Sequence, residues 1–138
     1  MAMELPIDRD QPPDDPSAAT IRVLVVDDDP LVLESLLEWL CGYPGVDVRG
    51  FASAEQAMTS SHKSAYDVCL LDYRLDGVNG VVLGAMIHAL NPEARLILMS
   101  GVLDPKIERH ALDNGFHSVI PKPFPPRDLS DLVFAAAV

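Results

Sequence analysis

Five residues carry side chains whose types suggest one joint chemistry: Asp27, Asp28, Asp72, Ser100 and Lys122. Each follows a short strand-like stretch, apolar throughout at residues 23–26 for the aspartate pair and 68–71 for Asp72, nearly so at 95–99 for Ser100, and short at 118–121 for Lys122. Carboxylates gathered at close range repel, and the usual remedies are a raised pKa or a bound cation. A donor set of oxygens alone favours Mg2+, which keeps several waters and pairs with a phosphoryl group. With charge offset by such an ion and by the Lys122 ammonium, Asp72 could act as a nucleophile toward phosphorus. Ser100 could then donate a hydrogen bond to a phosphoryl oxygen. A lone aspartate after a strand is as often a turn or cap residue. It is the convergence of all five that reads as a phosphoryl-transfer site.

Such convergence needs the runs to lie side by side. Val68, Cys69, Leu70 and Leu71 are consecutive apolar residues, the pattern of a central parallel strand with helices on both faces. From Ile21 onward strand-like and helix-like pieces alternate, the signature of βαβ units and a parallel sheet. The first helix starts at Pro30 with Asp29 as N-cap and presents Leu33, Leu36, Leu37 and Leu40 on one face. V-D-V-R-G-F at 46–51 is more polar and reads as an edge strand. Ser53 and Gln56 suit a capping box for a helix over 54–61. Leu83, Ile87 and Leu90 stripe a third helix ended by Asn91 and Pro92, Asp104 and Pro105 start a fourth, and Leu129, Leu132, Val133 and Ala136 mark a fifth. In open α/β sheets the carboxyl ends of the strands are where ligands bind.

The 138 residues suit one domain with a substantial core. A formal net charge of −11 argues against direct nucleic-acid or anionic-membrane binding, and the apolar runs are well short of a membrane span. No secretory leader follows Met1, and Cys41 and Cys69 make no metal spacing, so both read as buried thiols in a soluble, cytoplasmic chain. Residues 1–20 combine Pro6, Pro12, Pro13 and Pro16 with Glu4, Asp8, Asp10, Asp14 and Asp15 against one Arg9, a flexible acidic extension by composition. His62, His88, His110 and His117 fall at no ligand spacing and read as surface residues, Trp39 and Phe51 as packing, Met86 and Met99 as gap-fillers.

Residues 21–138 resemble a receiver domain of the two-component response-regulator family. The resemblance rests on L-V-V-D-D at 24–28, L-L-D-Y-R-L at 70–75 with Gly80 eight residues past the aspartate, L-M-S-G at 98–101 and P-K-P-F at 121–124. It implies a flavodoxin-like, doubly wound five-stranded parallel sheet of order 2-1-3-4-5 with five helices. It also implies that Asp72 accepts a phosphoryl group from a sensor histidine kinase or phosphotransfer protein, in a signalling role rather than as an enzyme. Asp28 would bind Mg2+ directly, Asp27 through water, and the Arg74 backbone carbonyl would complete the protein ligands. A cis bond at Lys122-Pro123 would aim the lysine into the site. Output would pass to a partner protein or to an output domain beyond this chain, and a homodimer through helix 4, strand 5 and helix 5 is one assembly the resemblance allows.

Three positions depart from the family pattern: Asp76 replaces a proline, Phe116 a small alanine, and Val119 the aromatic that toggles with phosphorylation. Valine has one χ angle and too little bulk for such a swing, so the expected response shifts from Val119 to the loop after Ser100, residues 101–104. Two rival functions stand beside the receiver reading. An aspartyl-phosphate phosphatase would need an acid two residues past its nucleophile, where Arg74 stands. A degenerate receiver acting as a phosphorylation-independent binding module would not need Asp27, Asp28, Asp72, Ser100 and Lys122 together.

Overall fold

The computed structural model describes residues 20–102 and 104–137. All but Thr20 of the proline-rich stretch at 1–20 lies outside the described residues. Five strands, β1 (Ile21–Val26), β2 (Val46–Phe51), β3 (Val68–Asp72), β4 (Arg95–Ser100) and β5 (Ser118–Pro121), alternate with α1 (Pro30–Cys41), α2 (Ala54–Lys63), α3 (Gly80–Leu90), α4 (Pro105–Asp113) and α5 (Pro126–Ala137). The sheet is wholly parallel in the order β2-β1-β3-β4-β5, the flavodoxin-like arrangement. The polar strand β2 is indeed at an edge.

Side chains alternate between the faces of a strand, so each inner strand feeds two cores. Leu24, Val26, Cys69, Leu71, Leu96 and Leu98 meet Leu83 and Ile87 of α3, Ala57 of α2 and Ala111 of α4. Val23, Val25, Val68, Leu70, Ile97 and Met99 meet Leu36 and Leu40 of α1 and Leu129 and Val133 of α5. The continuous apolar runs follow from this double burial. Three helix starts use the caps read above: Asp29 accepts from Leu31 N–H at 3.0 Å, Ser53 from Gln56 N–H at 3.2 Å, and Asp104 from Lys106 N–H at 2.9 Å. Asn79 caps α3 by accepting from Val82 N–H at 3.0 Å. Three sequence expectations fail on exposure, because Leu90 and Met86 lie on the outer face of α3 and Cys41 on that of α1.

Phe116 is buried with its ring edge against α3 at Gly84, where an added Cβ would overlap the ring. The glycine in the middle of a helix and the bulky residue after α4 are one packing solution. Gly84→Ala is expected to destabilise the wild type by about 1–3 kcal/mol through overpacking. In a Phe116→Ala background the same change is expected to cost less, because the ring is gone. Urea unfolding of the four proteins checks the coupling, and additive losses would show that the two residues do not share the space.

Candidate functional site

β1 ends where Asp27 turns inward, and its backbone N–H still donates to the Phe51 carbonyl of β2 at 3.2 Å. The carboxylate is fully buried. Its Oδ1 accepts from Asp29 N–H at 2.9 Å and its Oδ2 from Lys122 Nζ at 2.7 Å. Lys122 Nζ also reaches Asp72 Oδ1 at 2.9 Å, so one ammonium bridges the ends of β1 and β3. Asp72 is itself buried and is the last residue of β3, while Asp28 is exposed at the rim. One carboxylate oxygen from each of Asp27, Asp28 and Asp72 lies within 4.8 Å of the others.

Local structure aims these groups. Lys122 N–H donates to the Ser100 carbonyl at 2.7 Å, which extends the β4–β5 ladder past Pro121, and the Lys122–Pro123 bond is cis. Beyond Asp72 the chain turns sharply: Tyr73 N–H donates to the Met99 carbonyl at 2.8 Å, and Gly80 N–H returns to the Tyr73 carbonyl at 2.8 Å. That return seats the start of α3 directly on the Asp72 backbone, where only glycine fits.

Burial raises the Asp72 carboxyl above its ordinary range; the Lys122 hydrogen bond opposes this, and the charges of Asp27 and Asp28 add to it. Burial alone would lower the Lys122 ammonium, but its hydrogen bonds to Asp27 and Asp72 prevail and hold it above its usual value. Three carboxylates facing one ammonium leave an excess of negative charge on hard oxygen donors. That donor set fits a divalent cation of the Mg2+ type, which Asp27, Asp28 and Asp72 would hold. An acid whose folded pKa lies above its unfolded one loses folding stability as pH rises through that interval. Ionisation of Asp72 therefore works against the fold. Asp72→Asn is expected to melt at higher temperature than wild type in chelator at pH 7. Millimolar Mg2+ is expected to raise wild type more than the variant, since only the folded wild type assembles the full set. A variant that melts lower in chelator would contradict this balance.

Asp27, Asp28, Asp72 and Lys122 thus come together as a cluster. Ser100 is buried at the neighbouring strand end, but its hydroxyl is engaged within its own loop, donating to the Val102 carbonyl at 3.0 Å and accepting from Val102 N–H at 3.1 Å. Arg74 is exposed in the turn after β3. Val119 is half-buried on β5 and packs on the core beneath α2, α3 and α4. His62, His110 and His117 are exposed, whereas His88 is half-buried with its ring beside Gly115. Trp39 keeps one face in solvent and donates its indole N–H to Ser130 Oγ at 3.3 Å. The Val102 contacts and the Gly84–Phe116 fit went unread; a glycine amid α3 was the one sequence signal for the latter.

Residues 23–134 match the model of the family described as response regulator receiver domain. The response regulator protein VraR of Staphylococcus aureus is 30% identical over 115 residues, covering 83% of this chain and 55% of the relative. VraR of Staphylococcus epidermidis is 30% identical over 114 residues, 82% of this chain and 54% of the relative. The chain therefore spans about half the length of these relatives. Among solved structures, a CheY-like response regulator receiver domain protein from Methanospirillum hungatei superimposes with a TM-score of 0.82 at 27% identity, over 86% of this chain and 94% of the other. The response regulator domain of Thermotoga maritima CheB gives a TM-score of 0.77 at 25% identity, over 86% and 96%. Among the described residues no helix is long and apolar enough to cross a membrane.

Proposed function

The chain belongs to the response regulator receiver domain family, and from that premise we propose that residues 21–138 form a receiver in which Asp72 accepts a phosphoryl group from a phosphohistidine on a sensor kinase or phosphotransfer protein. The observation that carries the reading is the Lys122 ammonium bridging Asp27 and Asp72 beside a three-carboxylate cluster.

In the proposed reaction an Asp72 carboxylate oxygen forms the new bond to phosphorus as the phosphorus–nitrogen bond of the donor breaks. The imidazole leaves with the electron pair. Lys122, already 2.9 Å from Asp72 Oδ1, stays beside the negative charge that the phosphoryl group brings. Asp27, tied to Lys122 and to Asp29 N–H, keeps the ammonium in place. Asp27, Asp28 and the Arg74 carbonyl, with Asp72, would hold Mg2+, which when bound neutralises charge on the phosphoryl oxygens. Such a receiver promotes its own phosphorylation and dephosphorylation and passes its state to an output protein or domain, acting in the cytoplasm where its donor's phosphohistidine is made. An assembly through α4, β5 and α5 belongs to the same reading.

Incubation with acetyl phosphate and Mg2+, followed by intact mass, tests it. One phosphoryl adduct that persists over minutes is expected. Continuous phosphate release without an adduct would mark a phosphatase, and neither would mark a binding module.

A further inference from the structure

No Asp, Glu, Lys or Arg occurs in α3, in a chain whose formal net charge is −11. One face of the helix is accounted for: Leu83, Gly84 and Ile87 are buried against the sheet side, and Phe116 fills the notch at Gly84. The opposite face carries Val82, Met86 and Leu90, each four residues from the next and therefore in one row along the helix. They are exposed to 42%, 44% and 43%, so the row is open to solvent along its whole length. Among the described residues no other element offers such a row. Leu31 and Trp39 of α1 are also exposed, but Ser35 lies midway between them, and Glu34 and Glu38 flank it. The described part of α4, β5 and α5 exposes one large apolar side chain, Leu112. His88, the one titratable residue of α3, keeps out of the row, with its ring beside Gly115 at the end of α4.

We propose that α3 is a self-association face, through which two copies of this chain form a reversible isologous dimer. Symmetry and charge select the occupant. The row is symmetric about Met86: when two α3 helices pair antiparallel about a two-fold axis, Met86 meets its own counterpart, and Val82 of each copy meets Leu90 of the other. Ala85 and Ala89 lie beside the row and are small enough to let the helix axes approach to about 8–10 Å. Two acidic chains repel wherever their carboxylates face each other, and on this helix neither copy presents one. Area sets the strength. Two such rows cover roughly several hundred Å2, less than the about 1,200 Å2 at which stable interfaces begin, so the dimer is weak, with a Kd on the order of 100 µM. The monomer keeps both of its cores without it. The proposal stands apart from the role of Asp72 and uses a different surface from α4, β5 and α5.

Analytical ultracentrifugation of the full chain, from about 10 µM to about 1 mM, is expected to show a reversible monomer–dimer equilibrium. Met86→Glu sets two like charges against each other at the two-fold axis and is expected to weaken the dimer at least about tenfold. Leu112→Glu is expected to dimerise as wild type does. Both positions are exposed, and circular dichroism establishes that each variant folds. Disulfide trapping reads the register in a Cys41→Ser background, which removes the exposed native thiol. Met86→Cys is expected to cross-link to a second copy of itself, and Val82→Cys to cross-link when mixed with Leu90→Cys but not alone. A chain that stays monomeric to the highest concentration overturns the proposal and leaves the row to a partner of another kind. A dimer that Leu112→Glu dissolves and Met86→Glu does not moves the interface to α4 and overturns it equally. Acetyl phosphate labelling of Asp72 is unaffected by either failure, so the two readings are separable.

Discussion

Asp72→Asn is expected to fold as wild type does and to take up no phosphoryl group from acetyl phosphate in the time the wild type labels fully. The substitution keeps volume and planarity but replaces the attacking oxyanion with a neutral amide. Removing a nucleophile has cost a hydrolase on the order of 10⁶ in rate, so an adduct below detection is the reasonable outcome. Neither neighbour is placed to take over. Asp27 is fully buried and spends both oxygens on Asp29 N–H and Lys122, and Asp28 is exposed at the rim without a contact to the ammonium among the ion pairs of the described residues. Intact mass with peptide mapping reads the result. Full labelling of the variant would move the acceptor to another residue and end the assignment.

Gly80→Ala carries the largest expected loss of stability. A Cβ at this position would overlap the carbonyl oxygen and carbon of Asp72, backbone atoms that cannot swing aside, and would also press on Leu98. The Asp72 backbone is fixed by its place in β3 between β1 and β4, so relief requires α3 to lift from the sheet. Lifting α3 would loosen Leu83 and Ile87, both buried in one of the two cores. A loss of about 3 kcal/mol or more is expected, roughly 10 °C in Tm for a chain of this size. The contrast with Gly84 is informative: there the neighbour is the end of a side chain, which can yield or be trimmed. Calorimetry of Gly80→Ala decides the matter. A shift under 2 °C would mean that the β3–α3 turn is softer than its packing suggests.

Both expectations draw on the same division between what the chain order dictates and what folding adds. The apolar runs at 23–26, 68–71 and 96–99 are long enough, and continuous enough, that only strands covered on both faces satisfy them, and the intervening helical stripes make the sheet parallel. Once that is so, residues placed just after each run must gather at one sheet edge. Asp27, Asp28, Asp72, Ser100 and Lys122 were legible for this reason, as were the caps Asp29, Ser53 and Asp104, whose partners lie within three residues. The family resemblance supplied the strand order, which βαβ alternation alone leaves open.

Contacts between residues far apart in sequence or set by a single rotamer were not legible. That Lys122 bridges Asp27 and Asp72, 95 residues and 50 residues away, depends on the lateral order of β1, β3, β4 and β5. Leu90 fits an apolar stripe at helical spacing yet is exposed at the last turn of α3, because periodicity cannot say what lies opposite a helix face. Phe116 looked like an isolated departure until Gly84, 32 residues earlier on another element, proved to be its complement. The direction of the Ser100 hydroxyl is a rotamer choice that residue type leaves open. Residue type decided that Ser100 could donate a proton; only the tertiary structure decided that, in this state, Val102 receives it.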